Sequence, residues 1–302
     1  MLCAAIDIGS NTTRVLVAEP IDGQLKKVME QRAYTRINKA LDGDGAILPE
    51  KVEEVAEVVA TQVRLAQELG AAEIRSVATA AVREAPNGEE VARAIAEVSG
   101  FPVDILSEQE EGRLAFLGAT KTLGHPVEGK IGVVDVGGGS TEVIIGTAAG
   151  GVEKVRSWRV GSGVLADELI SSDPPSAAEI RKIRDRIDDI FDGVEIERPA
   201  QAVAVGGSAT SLRRLVGAVL EYETLERGIR VLAGDPAADV ARKFELDPVR
   251  VRILATGVLL LEKVSELLGQ PLQIGKGGLR EGVILDLLNG SANGSSPARI
   301  AA

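Results

Sequence analysis

Apolar residues along this chain recur in two rhythms. Short continuous runs of Val, Ile, Ala and Leu predict buried strands, and longer stretches with an apolar residue at every third or fourth position predict helices. The opening reads strand, turn, strand and a linking segment. Val52, Val55, Val59, Val63 and Ala66 then recur at helical spacing from Pro49 to Leu69, and Gly70 ends the run. A strand around Ser76 to Ala80, a helix from Gly88 to Ser99 and a strand from Val103 to Leu106 follow. Ser107 then caps a helix to Leu123, with Glu110 at the capping-box position. Gly124 to Lys130 is a turn-rich break, and Ile131 to Asp135 restarts the pattern. The second half holds a strand from Val152 to Trp158, a polar helix from Ser176 to Phe191, and a buried strand from Ala202 to Val205 that passes through Gly206-Gly207-Ser208 into a helix. Asp247-Pro-Val opens one long helix whose run Val258 to Leu261 is deeply apolar. A last strand and Gly-rich turn, Gln273 to Arg280, lead to a short helix ending near Leu288. Alternating strands and helices predict α/β layers, with one domain over residues 1–120 and a second over 121–288; the small polar residues of 289–302 predict a disordered tail.

Two of the strand–turn–strand segments, Asp7 to Val15 and Asp135 to Val143, align without a gap. An Asp that ends a strand can hold a metal or its water, and small residues after it let backbone N–H groups approach phosphate oxygens. Ser10, Thr12 and Thr13 in one copy, and Ser140 and Thr141 in the other, add hydroxyl donors. One such loop is as readily an ordinary hairpin turn as a ligand site. Two gapless copies imply duplicate domains facing one cleft, and phosphoryl transfer as the chemistry. The copies differ in charge at one position: Arg14 in the first stands where Glu142 stands in the second, an asymmetry that suits a metal near the second loop.

Composition narrows the picture. With 302 residues and 45% hydrophobic content the chain can build two cores, and at 2% aromatics those cores are aliphatic, as parallel strands under helices require. The single cysteine, Cys3, excludes an internal disulfide and a Cys-based zinc cluster. The absence of a signal segment or apolar span makes a cytoplasmic protein the expectation. A net charge of −11 argues against broad nucleic-acid binding and against an anionic membrane surface. The one histidine, His125, sits in a Gly-His-Pro turn and reads as structural; any catalytic metal should be a hard cation held by carboxylates and phosphate oxygens, Mg²⁺ first.

Outside the two loops, Glu110 and Glu111 stand in the first turn of the helix after Ser107. Capping accounts for Glu110, whereas Glu111 reads equally as helix-start chemistry or as a general base. Arg83 closes Thr79-Ala-Ala-Val-Arg83 and could offset charge on a polyanion or simply face solvent. Gly206-Gly207-Ser208 reads first as close helix–strand packing and second as a nucleotide cradle. Gly277 and Gly278 are similar, with Lys276 and Arg280 beside them to serve a long anion.

Together these residues resemble the exopolyphosphatase and guanosine pentaphosphate phosphohydrolase group of the actin, sugar-kinase and Hsp70 superfamily. The resemblance runs to about residue 288 and rests on Asp7 to Thr13 (DIGSNTT), Thr79 to Arg83 (TAAVR), Ser107 to Arg113 (SEQEEGR), Asp135 to Glu142 (DVGGGSTE), Val205 to Thr210 (VGGSAT) and Gly277 to Gly282 (GGLREG). It implies an α/β protein of two ribonuclease-H-like, actin-like ATPase domains with a cleft between them, a homodimer, and Mg²⁺-assisted release of terminal orthophosphate from inorganic polyphosphate. It implies Glu111 as the base for the attacking water, with Glu142 assisting and Arg83 clamping substrate. It implies Asp7, Asp135 and Glu142 as metal ligands, and phosphate gripped by Gly9, Ser10, Asn11, Thr12 and Arg14 and by Gly137, Gly138, Gly139, Ser140 and Thr141, with Gly207, Ser208, Lys276 and Arg280 as further substrate contacts. Longer members carry a further helical region that is not seen here, which implies a short-chain preference. Hydrolysis of pppGpp, a non-catalytic sensor of polyphosphate or ppGpp, and a sugar kinase are the competing expectations.

Overall fold

A computed structural model describes residues 1–21 and 24–292. The chain forms two compact units, Met1–Thr122 with the segment from Gly277 onward, and Leu123–Lys276. In the first, β1 (Cys3–Ile8), β2 (Thr13–Ile21) and β3 (Gln24–Ala33) form an antiparallel meander. Then come α1 (Pro49–Glu68), β4 (Glu73–Ala78), α2 (Ala80–Glu84), α3 (Gly88–Ser99), β5 (Val103–Ile105) and α4 (Glu108–Lys121), giving the sheet order β3-β2-β1-β4-β5. The second unit repeats the plan with the meander β6 (Lys130–Val136), β7 (Thr141–Thr147) and β8 (Gly151–Trp158), then α5 (Ser162–Leu169), α6 (Ala177–Ile190), β9 (Gln201–Val205) and α7 (Gly206–Val216). It continues with β10 (Val219–Leu220), α8 (Tyr222–Gly234), α9 (Ala237–Phe244), α10 (Pro248–Arg252), α11 (Leu254–Leu268) and β11 (Leu272–Ile274), and its sheet order is β10-β11-β9-β6-β7-β8. The chain then returns to the first unit as α12 (Leu279–Ala292).

Strand alternation fixes the layers. Ala4, Ile6 and Ile8 of β1, with Val15 and Val17 of β2, face Val55, Val59 and Val63 of α1 and Ile95 of α3. Cys3 and Ala5, with Leu16 and Ala18, face Leu114 of α4 and Val283, Ile284 and Leu287 of α12. Burying each such Leu, Ile or Val stabilises by about 1.5–3 kcal/mol. Burial also raises the Cys3 thiol to about 11, so it acts as a small apolar side chain.

Several expectations change. The "linking segment" after β2 contains a third strand, β3, whose pairing closes the meander. The long helix from Asp247 is two helices, because the chain breaks at Ile253 between α10 and α11. Residues 289–292 continue α12, while 293–302 lie outside the described residues. The last helix belongs to the first unit because it passes very close to α4. A Cβ on Gly118 would lie 1.9 Å from the Gly278 carbonyl oxygen, and one on Gly282 would lie 1.8 Å from that of Leu114. Ion pairs from Arg280 to Glu30 (2.8 Å) and from Asp286 to Arg75 (2.9 Å) and Arg113 (2.8 Å) fasten α12 to the sheet and to α4. Among the described residues no helix is long and apolar enough to cross a membrane.

Candidate functional site

The two aligned turns close in the same way. In the first, the Gly9 amide donates to the Thr12 carbonyl at 3.1 Å; in the second, the Gly137 amide donates to the Ser140 carbonyl at 3.0 Å. Both are also fastened from behind. The amides of Arg36 and Asn38 donate to the carbonyls of Asn11 and Ser10 at 3.1 and 3.3 Å. Those of Ser162, Gly163 and Val164 donate to the carbonyls of Gly137 and Gly138 at 2.9–3.0 Å. Carbonyls held on one side leave donors on the other: among the described residues the amides of Ser10, Asn11, Gly138 and Gly139 donate no hydrogen bond. An anion is the natural acceptor for such donors. The amides of Gly9 and Gly137, expected to grip phosphate, instead close their own turns.

The hydroxyls divide by direction. Thr13 bonds Thr35 at 3.0 Å and Thr141 donates to the Val160 carbonyl at 2.6 Å, so both point inward and anchor the turns. Thr12 accepts from Arg14 Nε at 3.0 Å. Ser162, wholly buried, donates its hydroxyl to the Gly137 carbonyl at 3.0 Å, and Ser208 reaches Ser162 Oγ at 3.4 Å. Thr256 of α11 donates to the Ser162 carbonyl at 2.7 Å. Ser208, expected on substrate, is therefore a support of the second turn. The sequence reading missed Gly161-Ser162-Gly163, whose signal was a Gly-Ser-Gly run directly after a strand. A Cβ on Gly161 would lie 2.5 Å from the Gly138 carbonyl carbon, so only glycine admits the turn there.

In each hairpin the Asp lies directly opposite the residue seven positions on: Asp7 opposite Arg14 and Asp135 opposite Glu142. The third strands extend the rows with Arg32 opposite Arg14 and Ser157 opposite Glu142. Directly opposed side chains share a face, so one row reads Asp7–Arg14–Arg32 and the other Asp135–Glu142–Ser157. Burial pushes the Asp7 carboxyl up, and the nearby Arg14 and Arg280 guanidinium groups offset part of that. Glu142 is buried and accepts from Ser157 Oγ at 3.0 Å. Gly206 stands beside Asp135 with φ +79°, and a Cβ there would lie 2.1 Å from Asp135 Oδ1. The Gly206-Gly207 pair thus makes room for a carboxylate as well as for helix packing.

Arg83 and Glu111 meet. Arg83 Nη1 lies 2.6 Å from Glu111 Oε2 and 3.0 Å from the Leu106 carbonyl, so α2 and the first turn of α4 are tied by a half-buried ion pair. Ser107 accepts from the Glu110 amide at 3.2 Å as expected, but the Glu110 carboxylate grips Arg113 at 2.8 Å instead of completing a capping box. Arg280, expected on a long anion, is largely buried. Burial disfavours its charge, and the carboxylates of Glu281, Glu30 and Asp7 outweigh that and hold it charged. Gly277 and Gly278 serve the α4–α12 approach, and Lys276 is exposed in the second unit.

Mg²⁺ can be tested against these donors. Among the described residues no group of three or more His, Cys, Asp or Glu side chains converges, so a cation held here would take its remaining ligands from substrate or water oxygens, as Mg²⁺ can. Asp135 and Glu142, opposed on one face, fit as its protein ligands. Asp7, shadowed by two guanidinium groups, fits less well.

The pattern that defines the Ppx/GppA phosphatase family matches residues 16–290. Exopolyphosphatase 1 of Mycobacterium leprae is 29% identical, over 98% of this chain and 92% of its own length. Exopolyphosphatase 2 of Mycobacterium tuberculosis is 26% identical, over 94% and 96%. The crystal structure of a Ppx/GppA family member from Aquifex aeolicus superposes with a TM-score of 0.80 at 26% identity, covering 96% of this chain and 98% of that one. An exopolyphosphatase from Cytophaga hutchinsonii superposes at 0.82 with 19% identity, over 96% and 98%, a likeness of fold alone. The fold is that of two ribonuclease-H-like domains of the actin-like ATPase type.

Proposed function

Because the chain belongs to the Ppx/GppA phosphatase family and is thereby a hydrolase of phosphoric anhydrides, we propose that it is an exopolyphosphatase that removes the terminal orthophosphate from inorganic polyphosphate. The observation that carries this reading is the carboxylate row Asp135–Glu142, steadied by Ser157 and cleared by Gly206, beside a turn whose Gly137 and Gly138 carbonyls are taken up by the segment behind it. In a phosphatase such a row suits water and a cation, where a second cationic row would suit only binding.

The chain's own groups divide the work. In each unit the free turn amides, Ser10 and Asn11 in the first and Gly138 and Gly139 in the second, are donors for phosphoryl oxygens. Glu111, oriented by Arg83, accepts a proton from the attacking water as its oxygen bonds to the terminal phosphorus. The P–O bond to the bridging oxygen breaks, and the shortened polyphosphate leaves with that oxygen and its electron pair. Arg83 is released to the phosphoryl oxygens as charge gathers there. Mg²⁺, held by Asp135 and Glu142, would neutralise charge on the phosphate chain.

Phosphate release from short polyphosphate, long polyphosphate and pppGpp, measured side by side with Mg²⁺, tests the proposal. Turnover should be highest on a linear polyphosphate; release from pppGpp alone would reassign the leaving group. Glu111→Gln should lower kcat by about 10²–10⁴-fold while polyphosphate still binds, and near-normal turnover in that variant would remove Glu111 from the mechanism.

A further inference from the structure

The first turn carries more positive charge than its own fold uses. Arg14 and Arg32 lie directly opposite on β2 and β3, with Cβ atoms about 5 Å apart on the face that Asp7 shares. Like charges so placed repel. Arg14 is pinned to the turn through Thr12 and sits near Asp7. Arg32 is exposed, and among the described residues it forms no ion pair or side-chain hydrogen bond. Arg36 adds a third guanidinium. Its backbone is left-handed, φ 46°, a strained state for a side chain of its size, held because its amide donates to the Asn11 carbonyl in the turn. Its side chain likewise has no ion pair or hydrogen bond among the described residues. At the matching place in the second unit, opposite Glu142, stands Ser157, so the opposed pair of arginines belongs to the first turn. In a chain of net charge −11, two arginines opposed on one face of this turn, with a third tied to it by its backbone, suit an anion larger than one phosphate.

We propose that Arg32 and Arg36, beside Arg14, form a subsite for phosphoryl groups that lie beyond the one removed, so that the first unit reads the length and charge of a linear phosphoric anhydride. The inference deepens the exopolyphosphatase reading and rests on it for its ligand. Arg32 offers a fork to two phosphate oxygens and is uncompensated until they arrive.

The test is calorimetric binding of medium-chain linear polyphosphate, and of orthophosphate, over a range of salt. Arg32→Gln should weaken polyphosphate binding about tenfold and make its salt dependence shallower by about one ion. Arg36→Gln should weaken it less, and Arg32→Lys should recover much of the loss. Orthophosphate should bind Arg32→Gln and the unaltered protein alike, because a single phosphate occupies only the turn. Lys121→Gln, which removes an exposed charge at the end of α4, serves as the control for net charge. Equal polyphosphate affinity and salt dependence in Arg32→Gln and the unaltered protein, or an equal loss in Lys121→Gln, would overturn the subsite. The two readings fail separately. A protein that binds polyphosphate through Arg32 but releases no phosphate loses the enzymatic reading and keeps the subsite; one that hydrolyses polyphosphate but is indifferent to Arg32 does the reverse.

Discussion

The two hairpins share a backbone and differ in charge. Both turns close through equivalent amides, both are tied back by the segment after the third strand, and both place an Asp opposite the residue seven positions on. Yet the first row is Asp7–Arg14–Arg32 and the second Asp135–Glu142–Ser157. Duplication accounts for the shared turn and its free amides; in the proposed function the unlike rows would let one turn grip an anion while the other manages water and a cation. The supports differ as well. Behind the first turn lies a single 3-10 turn, Ile37–Lys39, and behind the second lies the N-terminus of the eight-residue α5, with Ser162 adding a side-chain bond. The second turn is the more tightly determined of the two.

That contrast can be broken by substitution. The largest effect should come from Gly206→Ala. Its left-handed backbone and the 2.1 Å approach to Asp135 Oδ1 cannot both survive a methyl group, so Asp135 should be displaced and activity should fall by two orders of magnitude or more, on the order of one misplaced catalytic group. The equivalent position of the first unit is Ala78, opposite Ile8, so alanine is tolerated in one row and excluded from the other; full activity in Gly206→Ala would erase this distinction. A smaller effect is expected from Ser162→Ala, which removes one of the two bonds into the Gly137 carbonyl. The loss should be about 1–2 kcal/mol of stability with a raised KM, read by thermal melting and steady-state kinetics, and an unchanged KM would show that the turn does not depend on α5. The smallest concerns Glu30 under the first row. Burial would raise its carboxyl, but Arg280, with hydrogen bonds from Lys27 and Arg280 itself, holds it at about 2. A carboxyl lowered on folding adds stability above its ordinary value of 4.5, and that stability is lost as pH falls from there toward 2. Glu30→Gln should therefore lower Tm at pH 6 and converge on the unaltered protein near pH 2; a constant Tm difference would show that the ion pair to α12 contributes nothing through charge.

Much of this was legible in residue order. The gapless alignment of Asp7 to Val15 with Asp135 to Val143 carries over to register, because a hairpin turn of fixed length fixes which residues face each other. The Arg14 and Glu142 mismatch then becomes a mismatch of rows. What stayed hidden depends on contacts between distant segments. Gly277, Gly278 and Arg280 look like an anion loop in sequence, and only the approach of α12 to Gly118 shows them to be packing and anchoring residues. Ser208 looks like a ligand and proves to be a prop because Ser162 lies beneath it. The break at Ile253 left no mark, because neither Gly nor Pro stands at it.

The central claim, that the two rows have different partners, is tested most directly by phosphate release from a defined-length polyphosphate across a Mg²⁺ titration, with Glu142→Gln compared against Arg14→Gln. Glu142→Gln should need about tenfold or more Mg²⁺ for half-maximal rate and should lose kcat, whereas Arg14→Gln should raise KM for polyphosphate and leave the Mg²⁺ requirement where it was. Equal shifts in Mg²⁺ requirement for both variants would contradict the account.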